Sequence, residues 1–274
     1  MKIFDDRACA LGEGPLWHPE RQCLFWFDIL NHRLMSKDQV WQFDEHVSAA
    51  GWLDYDHLLI ASETALFQFN LETGVKTHVA ALEADMPMTR SNDGRADPYG
   101  GFWIGTMGKS AEPRTGAIYR YYRGELRKLF SDITVSNAIC FSPDGLWAYF
   151  CDTFDRQIKR QALVTADGWP QGDPEVYIDL KADELNPDGA VVDSQGRLWN
   201  AHWGGGRLAC YEAGKCVQSF DLPARQATCP AFGGADLKTL YCTSAAIGVD
   251  ERDAGKTFSM DVDIPGQLEH RVIL

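Results

Sequence analysis

The sequence predicts an all-β protein, a single six-bladed β-propeller spanning residues 1–274. Three observations carry this reading. Helix signals are nearly absent, a turn-plus-aromatic-strand unit recurs, and its spacing is that of four-stranded blades. The recurring unit is clear in HPERQCLFWFDI, DPYGGFWIGTM, SPDGLWAYFCDT, DSQGRLWNAHW and GGADLKTLYCTSA, and weaker in WLDYDHLLIASET. Aligning the six puts Trp26, Leu59, Trp103, Tyr149, Trp199 and Tyr241 at one position, with successive separations of 33, 44, 46, 50 and 42 residues. Propeller blades repeat at roughly 40–50 residues. A β-sandwich with coincidental turns is the competing fold, but it has no reason to keep this spacing. No linker rich in Ser, Gly or Pro marks a domain boundary. The clearest helical candidate, roughly Ala80 to Ala84, is short.

Composition narrows the partners. Aromatic residues make up 12% of the chain, including nine Trp, which suits flat side chains packed between sheets. The net charge of −13 disfavours nucleic acid or an anionic membrane as a partner. No run approaches the roughly 20 apolar residues of a membrane-spanning helix, and MKIFDDRACALGEGPLW lacks the apolar core of a secretory signal. The eight cysteines are scattered without a C-x-x-C pair, which predicts reduced, mostly buried thiols in a cytoplasmic protein. Oligomeric state stays open between monomer and weak dimer.

The same register in each unit then points to a site. Residues 11 to 13 places before the aromatic begin the innermost strand of a blade, whose end borders the central channel. Glu13 lies 13 before Trp26, Asn92 lies 11 before Trp103, Asn137 lies 12 before Tyr149 and Asp188 lies 11 before Trp199. The second unit offers only the Val47 to Ala50 region and the sixth Thr228 and Cys229. Asp144, in the other Pro-Asp-Gly triplet, falls in the hairpin-turn register and is expected to be a plain turn residue. Two carboxylates converging on an axis repel unless a cation or proton lies between them, and carboxylate plus carboxamide oxygens suit a hard divalent ion. The set lacks sulfur and imidazole, which argues against a structural zinc cage. His202 is the one histidine expected near the axis, in a structural role. No G-x-S-x-G elbow appears, and Gly204-Gly205-Gly206 reads as a turn.

LGEGPLWHPERQCLFWFDI, RSNDGRADPYGGFWIGTM, SNAICFSPDGLWAYFCDT and NPDGAVVDSQGRLWNAHWGGGR resemble, in that order, the gluconolactonase, regucalcin (senescence marker protein) and luciferin-regenerating enzyme family. The resemblance covers nearly the whole chain and implies a six-bladed propeller with one divalent metal on its axis. It implies Glu13, Asn137 and Asp188 as metal ligands, with Asp188 also the general base, and Arg90, Asn92 and Glu112 as substrate-binding residues. The implied cofactor is one divalent ion, Ca, Zn, Mn or Mg, and the implied activity is hydrolysis of a sugar lactone in carbohydrate catabolism. A metal-dependent phosphoesterase and a non-catalytic calcium- or ligand-binding propeller are the alternatives. Two departures stand out. Ala138 follows Asn137 where the family usually has Gly, which predicts a slightly altered backbone there. The segment Asp250 to Leu274 fits the closing-blade pattern loosely.

Overall fold

The computed structural model describes residues 1–274 and contains six four-stranded antiparallel sheets. Five blades are consecutive in the chain, at residues 12–42, 47–81, 89–133, 136–179 and 186–221. The sixth takes its three inner strands from Ala227–Gly233, Thr239–Ser244 and Thr257–Asp261 and its outer strand from the N-terminal Lys2–Asp5. The ring therefore closes by pairing the two ends of the chain. The loose fit of the C-terminal segment to the repeat follows, because blade six supplies only three strands of its own there.

The innermost strands are Gly12–His18, Val47–Trp52, Thr89–Ala96, Ser136–Phe141, Asn186–Val192 and Ala227–Gly233. Almost every residue in them is buried, whereas the outer strand Lys215–Asp221 is mostly exposed. A strand sandwiched on both faces loses the alternation of apolar and polar residues that marks a half-solvated sheet. The core is accordingly six layers between neighbouring blades rather than one central mass.

Those layers correct one part of the repeat alignment. Leu59, Trp103, Tyr149, Trp199 and Tyr241 each pack against the next blade around the ring. Trp26 instead faces back toward blade six, and Phe25 is the residue that faces blade two. Register agrees, since Phe25 pairs with Leu16 as Trp103 pairs with Arg95 and Trp199 with Val191. A one-residue slip moves a side chain to the opposite face. Here both faces are buried, so hydrophobicity could not reveal the slip.

The expected helical turn at Ala80 to Ala84 is absent. Ala80 pairs with Leu66 in the outer strand Lys76–Ala81, the Leu82 amide donates to Thr64, and Glu83 is left-handed at φ 46°. Edge pairing outweighs the weak helical preference of five residues. The only helical turns are two 3₁₀ segments, Ile29–Asn31 and Thr153–Asp155, so no helix is long and apolar enough to cross a membrane. All eight cysteines are unpaired and six are buried.

The C-terminal tail seals one end of the channel. Gln267 donates to the carbonyls of Phe141 and Val192 at 3.0 Å each, at the ends of two inner strands. Glu269 forms a buried ion pair with Arg95, and the Val272 amide donates to Trp52 at 3.0 Å. The opposite end, where the inner strands begin, stays open.

Candidate functional site at the open end of the channel

Each inner strand carries a bulge near its start. The register shifts lie between Glu13 and Leu16, Val47 and Ala49, Ser91 and Gly94, Asn137 and Cys140, Pro187 and Ala190, and Ala227 and Pro230. A bulge twists the strand and re-aims the side chain beside it. Counting three residues back from the partner of each blade's aromatic gives Glu13, Ser48, Asn92, Asn137, Asp188 and Thr228 as one ring. Ser48 and Thr228 thus resolve the two blades where sequence left a range or a pair. Asp144 sits in the turn after Ser136–Phe141, where its carboxylate accepts from the Leu146 amide at 3.0 Å.

Gly14 and Ala138, each one residue past a ring position, share the left-handed backbone, at φ 52° and 59°. The alanine therefore keeps the conformation that glycine would take. At Gly14 a Cβ would run into the Ser48 carbonyl oxygen and reach the Phe27 ring at 3.0 Å. We expect Gly14→Ala to cost about 3 kcal/mol, from overpacking added to the left-handed penalty. Ala138→Gly should stay within about 1 kcal/mol of the parent, since relief of that penalty offsets a lost buried methyl and a freer unfolded chain. Urea denaturation of the two variants checks the contrast.

A hydrogen-bond chain ties three blades together across the site. Arg90 Nη1 donates to Asn92 Oδ1 at 2.8 Å, and Asn92 Nδ2 donates to Asn137 Oδ1 at 3.2 Å. Asn137 Nδ2 donates to Thr153 Oγ1 at 2.8 Å, and Thr153 donates to the Pro187 carbonyl at 2.8 Å, one residue before Asp188. Asn92 also donates to the Ser136 carbonyl at 2.9 Å, so its amide nitrogen is spent on orienting its neighbours. On the other side, Thr228 Oγ1 bonds to the Gly12 carbonyl, beside Glu13. Thr153 was invisible in the sequence, because its hydroxyl acts from a 3₁₀ turn outside the repeated register.

Electrostatics at the ring are unfavourable as the side chains stand. Burial pushes the Glu13 carboxyl up to about 8, and the nearby Asp93 adds to the effect. Asp188 is raised well above the usual carboxylate range by burial and then by Glu13, with which it is in hydrogen-bond reach. Asp93 rises to about 6, again through burial, against the Ile139 amide that donates to it at 2.7 Å. Burial lowers the Arg90 guanidinium to about 10, opposed by Glu13 and Asp188. Arg90 Nε is buried without a partner. An unpaired buried donor is costly, about 1–3 kcal/mol, unless something else accepts from it.

Above the ring opens a cavity of about 640 Å³. Glu13, Arg90, Asn92, Asn137 and Asp188 line it together, as do Lys109, Ser110 and Ala111 of the loop in blade three. Glu112 is not on the cavity wall. Its carboxylate turns back to accept from the Ser110 amide at 3.0 Å, bracing the loop that reaches the cavity. His202 is a structural residue. Its Nδ1 accepts from Arg207 at 2.8 Å, and its Nε2 lies 3.1 Å from the Tyr211 hydroxyl.

A ring of six blades whose inner strands bring two carboxylates and two carboxamides to one end of the channel defines a propeller with a polar axial centre. The profile of the SMP-30/Gluconolactonase/LRE-like region matches residues 11–246, and the chain belongs to that family. The crystal structure of a calcium-binding protein, regucalcin, from Agrobacterium tumefaciens strain C58 is similar at a TM-score of 0.97 with 38% identity, over 100% of this chain and 97% of that one. An L-arabinolactonase of Azospirillum brasilense is 34% identical over 91% of this chain and 85% of its own length. A 6-deoxy-6-sulfogluconolactonase of Pseudomonas putida is 32% identical over 98% of this chain and 97% of its own.

Proposed function

We propose that the protein is a metal-dependent hydrolase that opens a sugar lactone to the sugar acid, with Glu13, Asn137 and Asp188 holding one divalent cation. The observation that carries the reading is the buried Glu13 and Asp188 pair beside the Asn137 carboxamide, at the floor of a cavity large enough for a sugar ring. The donor set fits such an ion. It offers oxygen alone, and two buried carboxylates in hydrogen-bond reach, both raised above their ordinary proton affinity, are a pair that a cation relieves. The names of the lactonase relatives, and of the calcium-binding one, point the same way.

When bound, the cation would supply a Lewis acid for the lactone carbonyl and the oxyanion that follows. The remaining roles belong to the side chains. Asp188, in its ionised form, accepts a proton from water as it attacks. Arg90, on the cavity wall, donates to substrate hydroxyls. Asn92 steers Arg90 on one side and the Asn137 oxygen on the other. Glu112 contributes through the Lys109 to Ala111 loop that it braces. A polyhydroxylated ring needs fixed polar groups of this kind, since an apolar pocket discriminates hydroxyl patterns poorly.

A panel of aldonolactones, assayed after chelation and after return of each of Ca, Zn, Mn and Mg, tests the proposal. Hydrolysis that disappears with chelator and returns with one of these ions is expected. Activity indifferent to chelator would remove the metal from the account, and no hydrolysis of any lactone would remove the activity.

A further inference from the structure

Arg156 stands on the cavity wall in a conformation that argininyl residues seldom adopt. It follows the 3₁₀ turn Thr153–Asp155 with a left-handed backbone, φ 53°. Non-glycine residues held in this region cost on the order of 1–2 kcal/mol and persist where the surroundings fix them. The surroundings do so here. The Asp152 carboxylate accepts from the amides of Thr134 at 2.7 Å and of Val135 and Phe154 at 3.1 Å each. The Arg156 carbonyl is fixed by the Leu180 amide at 2.9 Å.

Blade one carries the same device, which serves as an internal control. Its 3₁₀ turn Ile29–Asn31 ends in left-handed His32, φ 56°. His32 packs against His46, ring centroids 4.4 Å apart, and is not part of the cavity wall. Leu30 and Phe154, at matching places in the two turns, both line the cavity. Blade four thus uses the turn to place a cation where blade one places none.

The charge at that place is uncompensated. Arg156 Nε donates to Asn186 Oδ1 at 3.1 Å, and no carboxylate lies within 4.0 Å of its guanidinium. The other two basic side chains on the wall are occupied. Lys109 pairs with Glu63 at 3.0 Å, and Arg90 faces the field of Glu13 and Asp188. The chain carries 39 acidic and 26 basic residues, so an anion approaches it against the overall field. A local cation on the wall answers that repulsion for a ligand that carries negative charge, and a neutral ring does not need it. Asn186 precedes Asp188 by two residues, which places Arg156's partner roughly 7 Å along the strand from the ring. That is about the reach of an extended six-carbon sugar chain.

We propose that Arg156 and Asn186 form an anion subsite, and that the preferred substrate is a lactone bearing a phosphate or carboxylate on the carbon farthest from the carbonyl. This rests on the lactonase reading, but the subsite can be tested apart from it. In the cation-loaded protein, kcat/KM is compared for D-glucono-1,5-lactone, its 6-phosphate and a glucarolactone. The expected result is a preference for one of the two anionic substrates of tenfold or more, carried by KM, with the better one showing which anion fits. Arg156→Gln should collapse that ratio by roughly tenfold to a hundredfold, the range of a hydrogen bond to a charged group. Arg156→Lys, which keeps the charge and loses the fork, should restore part of it.

Calorimetric titration of 6-phosphogluconate and gluconate reads the subsite without turnover. Tighter binding of the phosphate by the parent and equal binding by Arg156→Gln is expected. A parent protein that prefers the neutral lactone and binds both acids equally would overturn the proposal, as would a ratio unmoved by Arg156→Gln. A protein that binds the phosphate through Arg156 yet hydrolyses no lactone would sink the lactonase reading and leave the subsite standing.

Discussion

Asp188→Ala should abolish lactone hydrolysis, by about a thousandfold or more in kcat/KM, while the protein stays folded. A positioned general base contributes typically 10²–10⁴-fold, and in the proposed mechanism this residue also supplies a ligand oxygen. Loss of the fold is not expected. Asp188 lines an open cavity, and its removal relieves the carboxylate that most raises its proton affinity after burial, Glu13, of a like-charged neighbour. The melting temperature of the cation-free variant should therefore match or exceed that of the cation-free parent. Asp188→Asn separates the two roles, since a carboxamide keeps an oxygen ligand and cannot take a proton. That variant should retain cation binding, at reduced affinity, with turnover still lost. Steady-state kinetics and calorimetric cation titration of both variants check this. Unchanged hydrolysis in Asp188→Ala would reject the mechanism.

Removing the divalent cation should have the second largest effect, and its size should depend on pH. At a hundredfold excess over Kd a bound ion contributes about 2.7 kcal/mol, which for a chain of this size is a fall of roughly 5 °C in Tm on chelation. The sign of the pH dependence follows from Glu13 and Asp188, both raised in the folded protein. The Glu13 contribution to the cation-free protein is fully present below its ordinary value of 4.5 and is lost as pH rises through about 8, and Asp188, also raised, acts in the same direction. Stability without cation should thus decline from pH 5 to pH 8. With saturating cation the decline should flatten, because the ion replaces the shared proton. Apparent cation affinity should strengthen over the same interval as that proton becomes easier to displace. Thermal melts with and without chelator at several pH values measure all three. Glu13→Gln should weaken cation affinity and blunt the pH dependence together.

Much of this arrangement was legible because a propeller repeats. The six turn-strand units placed Glu13, Asn92, Asn137 and Asp188 at one register, and the structure brings all four to one cavity. Where the repeat is silent, sequence reasoning failed for definable reasons. Trp26 and Phe25 are indistinguishable by hydrophobicity as the aromatic that faces the next blade, because both faces of a blade strand are buried. The roles of Ser48 and Thr228 were blurred because hydroxyl residues are common in strands and carry no charge to flag them. Thr153 opens and Arg156 follows a 3₁₀ turn whose direction depends on Asp152 accepting from the Thr134 and Val135 amides, long-range contacts that no local pattern encodes. The sealing tail escaped notice for the same reason. Gln267, Glu269 and Val272 act on blades far from them in the chain.

The proposed grip of Glu13, Asn137 and Asp188 on one cation is open to direct observation. Crystals grown with a divalent metal and measured at its absorption edge should show a single anomalous peak at the open end of the channel. The account predicts that the peak lies within about 2.0–2.6 Å of an oxygen from each of the three residues. A peak bound elsewhere, or none at a saturating concentration, would contradict it.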